Sequence, residues 1–446
     1  MVVLFRLDAL GFGRRFRSRI WLSMLSLALV CHPHVQAAQI ESQSSEVHHK
    51  ATITVATKNS SQRAKDSADF VGDGTGDQEE INAAIAALPQ PGGTVRLAEG
   101  TYDIRKIDGK RGGVLIERSN VILAGQGPAT KLILALHQNT NVIRIIGSGV
   151  QHVTVRDLFV DANRRENSEG KGDPKIAHDR FEFCGIKAYC RDPRGATAEV
   201  LQHITVQNCE VHNAHQLGIM LVGSDIRVLD NVLGNVGADS VELLVGPGII
   251  RGNYVKITEQ THVAIGSDIG DSIQMLGNIV HVGEGGKLGI GFRTWSDSQR
   301  HVINGNVLIV DFGGECALAM DLRGQMQTVI GNTVEAKDPE QPTRIQIGGG
   351  NTTFVGNTLK NTNIEVNDSY EDGKPIILHS NTLDNSFIQH TKGNLSQHTN
   401  DNLSTAPHWW WWYGGLACLL TFILGWFCRR SGVGPGVPDA GQRATP

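Results

Sequence analysis

The chain has 446 residues, 41 Lys and Arg against 45 Asp and Glu, a formal charge of −4, 52 Gly and only 6% aromatic residues. That length allows one large solenoid or two ordinary domains, and the near balance of charge excludes the basic surface of a nucleic-acid binder. Many Gly and Asn beside frequent Val and Ile point to short strands joined by tight turns.

Arg14, Arg15, Arg17 and Arg19 precede an apolar run from Ile20 to Cys31 that is short for a bilayer. Pro33 breaks any helix, and Val35-Gln36-Ala37 offers small residues for cleavage. Residues 1–37 therefore read as a signal peptide, with an uncleaved anchor as the alternative, and 38–66 as a flexible polar segment. Asp77 and Glu80 have the spacing of a capping box. Ile81, Ala84, Ile85 and Leu88 make the apolar stripe of the helix that follows, ended by Pro89 and Pro91-Gly92-Gly93. A short amphipathic helix suits the exposed apolar end of a solenoid as a cap.

Downstream, Asn recurs after similar strands at Asn208, Asn231, Asn253, Asn278, Asn306, Asn332, Asn357 and Asn381, at steps of 23, 22, 25, 28, 26, 25 and 24 residues. Five of them follow Gly, a pair that favours a left-handed turn. A period in the mid-twenties is too short for propeller blades, and the Leu frame of leucine-rich repeats is absent. Each repeat fits one coil of a parallel β-helix, with stacked Asn side chains bonding along its axis.

Gly72-Asp73-Gly74-Thr75-Gly76-Asp77 through Gly92-Gly93-Thr94-Val95 and Gly100-Thr101-Tyr102 resembles the start of pectate-lyase-superfamily β-helix domains. Val121-x-Leu123-x-Gly125-x-Gly127-x-x-Thr130-x-Leu132 is similar to their next coil. The resemblance implies an all-β, right-handed, single-stranded parallel β-helix over 67–388. It implies no one activity, because that fold hosts lyases, hydrolases, epimerases and non-catalytic proteins.

Residues 389–408 turn polar and read as a linker. Trp409 to Cys428 is twenty residues without a charge, about 30 Å as a helix. An aromatic belt precedes it, and Arg429 and Arg430 follow, so a transmembrane helix (409–428) with a cytoplasmic tail (429–446) is expected. The body then faces away from the cytoplasm, tethered to a membrane. Four Cys remain in it: Cys184, Cys190, Cys209 and Cys316. Cys184 or Cys190 meeting Cys209 on a neighbouring coil, and free thiols in a core, both remain open.

Chemistry on a β-helix belongs on an outward strand face or a groove walled by loops. Aligning Gly185–Tyr189 with Gly218–Val222, and Gly289–Arg293 with Ala319–Arg323, turns Ile186, Ile219, Leu221, Ile290, Phe292, Met320 and Leu322 inward. Lys187, Tyr189, Arg293, Asp321 and Arg323 then face outward, with Arg293 beside Arg323, able to hold one carboxylate together. An ordinary solvated ion-pair face would look the same. Glu242 fits this register poorly. The irregular stretch 161–183, with Asn163-Arg164-Arg165 and His178-Asp179-Arg180, is a candidate groove wall. His215 at a strand edge is a candidate base, and Asp239, Asp268, Asp271 and Asp297 in turns are candidate calcium ligands.

The pectin hydrolase motifs do not appear in order, Arg191-Asp192-Pro193-Arg194 only echoes the Arg-x-Pro-x-x-Arg of pectate lyases with the wrong spacing, and the Asp-Pro-His of alginate epimerases is missing. No family site therefore transfers residue by residue. Three functions remain. The first is a lyase or C5-epimerase on an acidic polysaccharide: Arg293, Arg323 and Arg180 would bind or neutralise substrate, Lys187, His215 or His178 would be the base, and Tyr189 the acid. The second is a glycoside hydrolase using Asp321 with Asp297 or Glu242. The third is a non-catalytic carbohydrate-binding or structural rod.

Overall fold

The structure, a computed structural model, describes residues 51–168, 183–189, 201–367 and 375–390 and the backbone of 403–405. The signal peptide, the transmembrane segment, the tail, His178, Arg180 and Cys190 lie outside the described residues, as does all of the linker except Gln389, His390 and that short backbone piece. No helix among the described residues is long and apolar enough to cross a membrane.

One coil illustrates the whole. Strands Tyr254–Ile257, Gln260–Ser267 and Ile273–Leu276 succeed one another, and the next strand, Ile279–Val282, returns to pair with the first. All three pair in parallel with their counterparts one coil on. Repeated along the chain, this makes three parallel stacks, the architecture of a right-handed parallel β-helix of about ten turns. Inward side chains from Val55 to Leu383 form one continuous apolar core. Burying that surface is what holds successive coils together.

The folded body begins earlier than expected. Ala51–Ala56, assigned above to a flexible segment, is a strand paired with Gly93–Leu97, and Gln62–Ser67 is a helix capped by the Ser61 hydroxyl. The alternation Thr52-Ile53-Thr54-Val55 carries that strand signal. The helix Gln78–Ala87 forms where expected and buries Ile81, Ala84 and Ile85. Asp77 stands at its N-cap position, but its side chain does not cap it. The carboxylate instead accepts from Gly74 N, Asp103 N and the Thr57 hydroxyl at 2.9, 2.9 and 2.8 Å, tying three segments together. A Cβ on Gly72 would lie 2.2 Å from that carboxylate, so only Gly fits there.

The Asn repeat is a hydrogen-bonded ladder. From Asn231 through Asn253, Asn278, Asn306, Asn332 and Asn357 to Asn381, each Nδ2 donates to the next Oδ1 at 2.9–3.0 Å. Each Oδ1 from Asn253 onward also accepts the preceding Asn's backbone N–H. Asn208 is not a rung. Cys209 takes that place and donates its N–H to Asn231 Oδ1 at 2.9 Å, while Asn208 turns the chain with φ 51°. Cys209 and Cys316 are free thiols, and burial pushes both up to about 12. Cys184 lies in a separate cluster from Cys209.

Candidate functional site

The stack that carries the site runs through Asn141–Ile145, Ile186–Ala188, Ile219–Ser224, Asp239–Val245, Gln260–Ser267, Lys287–Thr294 and Glu315–Leu322. Its registers align Arg144, Lys187, Met220, Glu242, Gly266, Arg293 and Asp321 in one outward column. Lys187 lies over Met220 as the sequence indicates. Glu242 fits the column after all, correcting the suspected slip there.

The real slip is elsewhere. Ile290 pairs with Leu318, and Arg293 pairs with Asp321 rather than Arg323. The strands also turn a corner here. Ala264 and Ile265 both belong to the core, as do Ala319 and Met320. A Cβ on Gly291 would strike Leu308 at 2.3 Å, so Gly291 and Phe292 likewise face inward in succession. Simple alternation fails at the corner, and Ile290, expected inward, lies outside the continuous core.

Arg293 is held by three carboxylates. Its guanidinium meets Asp239 at 2.6 Å, Asp268 at 2.6 and 2.8 Å and Glu242 at 3.6 Å. Gly266 makes this reach possible. An added Cβ there would lie 3.4 Å from Asp239 Oδ2 and 3.6 Å from Arg293, so these two groups fill the space of the missing side chain. Burial, opposed by Arg293 and reinforced by Asp268, pushes Asp239 up to about 7. Burial, then Asp239 and Asp268, hold Glu242 well above the usual carboxylate range, against the pull of Arg293 and Lys187. Burial alone would lower Arg293, but Asp239, Asp268 and Glu242 together raise it. The cluster thus shifts its buried carboxyl groups Asp239 and Glu242 towards the protonated form.

A second group lies earlier on the same face. Tyr189 joins Cys184, Leu217, Met220, Val222 and Leu244 in an apolar cluster separate from the core. Lys187 Nζ lies 5.0 Å from the Tyr189 ring centroid and the Arg144 guanidinium 5.7 Å from it. Arg144 also donates to the Tyr189 carbonyl at 3.4 Å. Two cations on neighbouring coils therefore flank one phenol, with Arg144, Lys187 and Tyr189 all nearly without exposure. Arg144 escaped the sequence reading, although a charge inside Val142-Ile143-Arg144-Ile145 was a signal: pairing Ile143 with Ile186 puts it beside Lys187.

The remaining candidates are dispersed. Arg293 is four coils from Lys187 along the column. Asp321 is fully buried and holds Arg323 at 2.9 Å, and Asp297 is an exposed turn residue. His215 stands at the strand edge with its ring centroid 5.9 Å from that of Phe183, and burial, then Arg164, lower its pKa. The described part of the long insertion does wall that edge: Arg164 donates to the Gln260 carbonyl at 3.3 Å and Arg165 pairs with Glu259 at 3.1 Å. An open groove of about 340 Å³ lies at the same edge, lined by His262, Lys287, Glu315 and Gln341. Its ion pair, Lys287 with Glu315, is exposed. Among the described residues no group of three or more His, Cys, Asp or Glu is arranged to hold a metal. Asp239 and Asp268 are turned to Arg293, and Asp271 to Arg300 at 2.8 Å, so guanidinium groups occupy positions expected for calcium.

No known family's sequence profile matches the chain. A curated relative, alginate lyase 7 of Azotobacter vinelandii, is 29% identical over 191 residues, which cover 38% of this chain and 21% of that protein. The match thus spans about a fifth of that relative's length. Among solved structures, the A-module of mannuronan C-5 epimerase AlgE6 from Azotobacter vinelandii superposes with a TM-score of 0.52 at 19% identity, over 75% of this chain and 97% of the module. The N-terminal fragment of bacteriophage Phi29 gene product 12 gives 0.53 at 15% identity, over 74% of this chain and 65% of the fragment. These likenesses show the pectate-lyase-like parallel β-helix fold and resolve no subfamily.

Proposed function

We propose that this chain acts on an acidic, uronate-bearing polysaccharide by removing the proton beside the uronate carboxylate, with β-elimination or C5 epimerisation as the outcome. The observation that carries the reading is the pair of cations, Arg144 and Lys187, against the ring of Tyr189 in an apolar setting. A uronate C5–H is weakly acidic, and its carboxylate must be neutralised before the proton can leave. Arg144 is always charged and neutralises it. Lys187, desolvated, accepts the C5 proton. The Tyr189 hydroxyl then protonates the departing O4, or returns a proton to C5 from the opposite face. The names of the alginate lyase and the mannuronan epimerase support the same polymer class and the same proton chemistry.

Lys187 and Tyr189 are buried, so turnover requires the outer face to open to the polymer. The rod is further proposed to be exported and held at a membrane by residues 409–428, and the helix Gln78–Ala87 to cap its N-terminal end. The tether rests on the charge and hydropathy pattern of the sequence. Removing 409–446 should move the protein from the membrane fraction to the soluble one.

The chemical test uses alginate-like, pectic, glycosaminoglycan and neutral polymers, with and without calcium. Unsaturated-uronate absorbance, new reducing ends and solvent deuterium at C5 are followed together. Absorbance and ends rising together give a lyase, and deuterium uptake alone gives an epimerase. Lys187→Met and Tyr189→Phe should each lose roughly 10²–10⁴-fold. Polymer binding with silence in all three readouts would replace the enzyme with a binding rod.

A further inference from the structure

We infer that Trp295 and Arg323 form a separate uronate-binding subsite, so that the polymer lies along the rod axis rather than across it. The inference rests on the acidic-polysaccharide reading. Trp295 is the next outward residue after Arg293, and it keeps 37% of its surface exposed. The Arg323 guanidinium lies 4.3 Å from the ring centroid. Its Nε is fixed by Asp321 at 2.9 Å, and its other N–H groups have no partner among the described residues. Arg293 lies 5.9 Å from the same ring, but its charge is already matched by carboxylates.

Each part suits an acidic sugar. An exposed indole stacks on the apolar face of a pyranose ring. The open side of a guanidinium pairs with a carboxylate through two parallel hydrogen bonds. Asp321, itself fully buried, anchors that guanidinium.

The register supplies the spacing. From Lys187 the column steps through Met220, Glu242 and Gly266 to Arg293, four coils, or about 19 Å along the axis. A substrate touching both Tyr189 and Trp295 must therefore be an oligomer of several sugars. The subsite matters to long chains and is invisible to short ones.

The experiment uses the full chain and oligouronates of graded length. Trp295→Ala and Arg323→Gln are compared with wild type for binding and for KM and kcat, and Trp295→Phe retains an aromatic face. Unchanged urea midpoints establish folding. For long oligomers, Trp295→Ala and Arg323→Gln should raise Kd and KM roughly tenfold, with kcat unchanged and Trp295→Phe intermediate. For di- and trisaccharides they should change nothing. Equal losses on short and long substrates, or no loss on long ones, would overturn the subsite while leaving the catalytic reading standing. Wild type that binds long uronates without turnover, with weaker binding by Trp295→Ala, would sustain the subsite and sink the catalytic reading. Wild type that binds no uronate polymer sinks both.

Discussion

Arg293 answers three carboxylates with one guanidinium, so the buried cluster holds more acid than base, and its protonation must be linked to folding. Asp239 has a folded pKa of about 7 against an ordinary 3.8. Between those values the folded state holds a proton that the unfolded state does not, so this group's contribution to stability falls as pH rises from about 4 to 7. His301 does the opposite. It is fully buried, its Nδ1 accepts from Ile273 N at 3.2 Å, and burial lowers its pKa to about 4 from 6.5. The unfolded state is then the one that takes up the proton, and stability falls as pH falls from 6.5 towards 4. Urea midpoints at pH 5 and 8 separate the two. Relative to wild type, Asp239→Asn should look more stable at pH 8 than at pH 5, and His301→Gln more stable at pH 5 than at pH 8. Either variant with the wild-type slope would remove that group from the linkage. Gly266 gives a steric test. Ala meets only ordinary contacts there, whereas the branches of Val enter the space of Asp239 and Arg293. Gly266→Val should cost about 1–3 kcal/mol and Gly266→Ala much less, read by the same midpoints. Residue types alone made Lys187, Tyr189, Arg293 and Asp321 visible. What they could not reveal was that Arg293 is already occupied by Asp239, Glu242 and Asp268, because that depends on the vacant side-chain position at Gly266, which the fold places on the coil between Asp239 and Arg293.

At the scale of elements, the Asn ladder explains why the repeat was legible. Each rung satisfies buried backbone groups that no other residue in the turn can reach, so the residue type recurs where the geometry recurs. Asn306 accepts from Asn278 N and Nδ2 and donates to Met275 O and Asn332 Oδ1. Asn306→Ala strands a buried N–H and should cost about 1–3 kcal/mol. Asn208→Gly should be nearly silent, because Asn208 is exposed, is not a rung, and Gly accepts its positive φ. Equal losses from the two variants would mean the ladder contributes nothing beyond turn conformation. The same contrast shows where reading the sequence failed. Asn208 has the right residue type and nearly the right spacing, yet Cys209 holds the rung. Likewise, strict alternation placed Ile290 inward because a period of two cannot anticipate two successive inward residues at a corner. The Gly at 291 marked that corner, but its meaning depends on Leu308 and Ala319 lying against it.

For the whole molecule, the consequence of stacking is that each coil answers mainly to its two neighbours, so stability is close to a sum of coils and their interfaces. That predicts which deletions the rod tolerates. Removing residues 306–331 excises one full coil and brings Asn278 beside Asn332, keeping the ladder continuous. Ile279–Val282 would then meet Thr333–Ala336, and Lys287–Thr294 would meet Thr343–Ile347, strand on equivalent strand. The shortened chain should keep its β-sheet circular dichroism and a cooperative urea transition, with somewhat lower stability. Removing only 306–318 deletes a fraction of a coil, puts apolar positions on the wrong stack and should leave an aggregating or unfolded protein. The full-coil deletion also removes Asp321 and Arg323 but leaves Arg144, Lys187 and Tyr189 on coils it does not touch. Turnover of short uronates should therefore survive it while the preference for long ones is lost. A full-coil deletion that unfolds like the partial one would show that coils depend on more distant parts of the rod, and the nearest-neighbour picture would have to be given up.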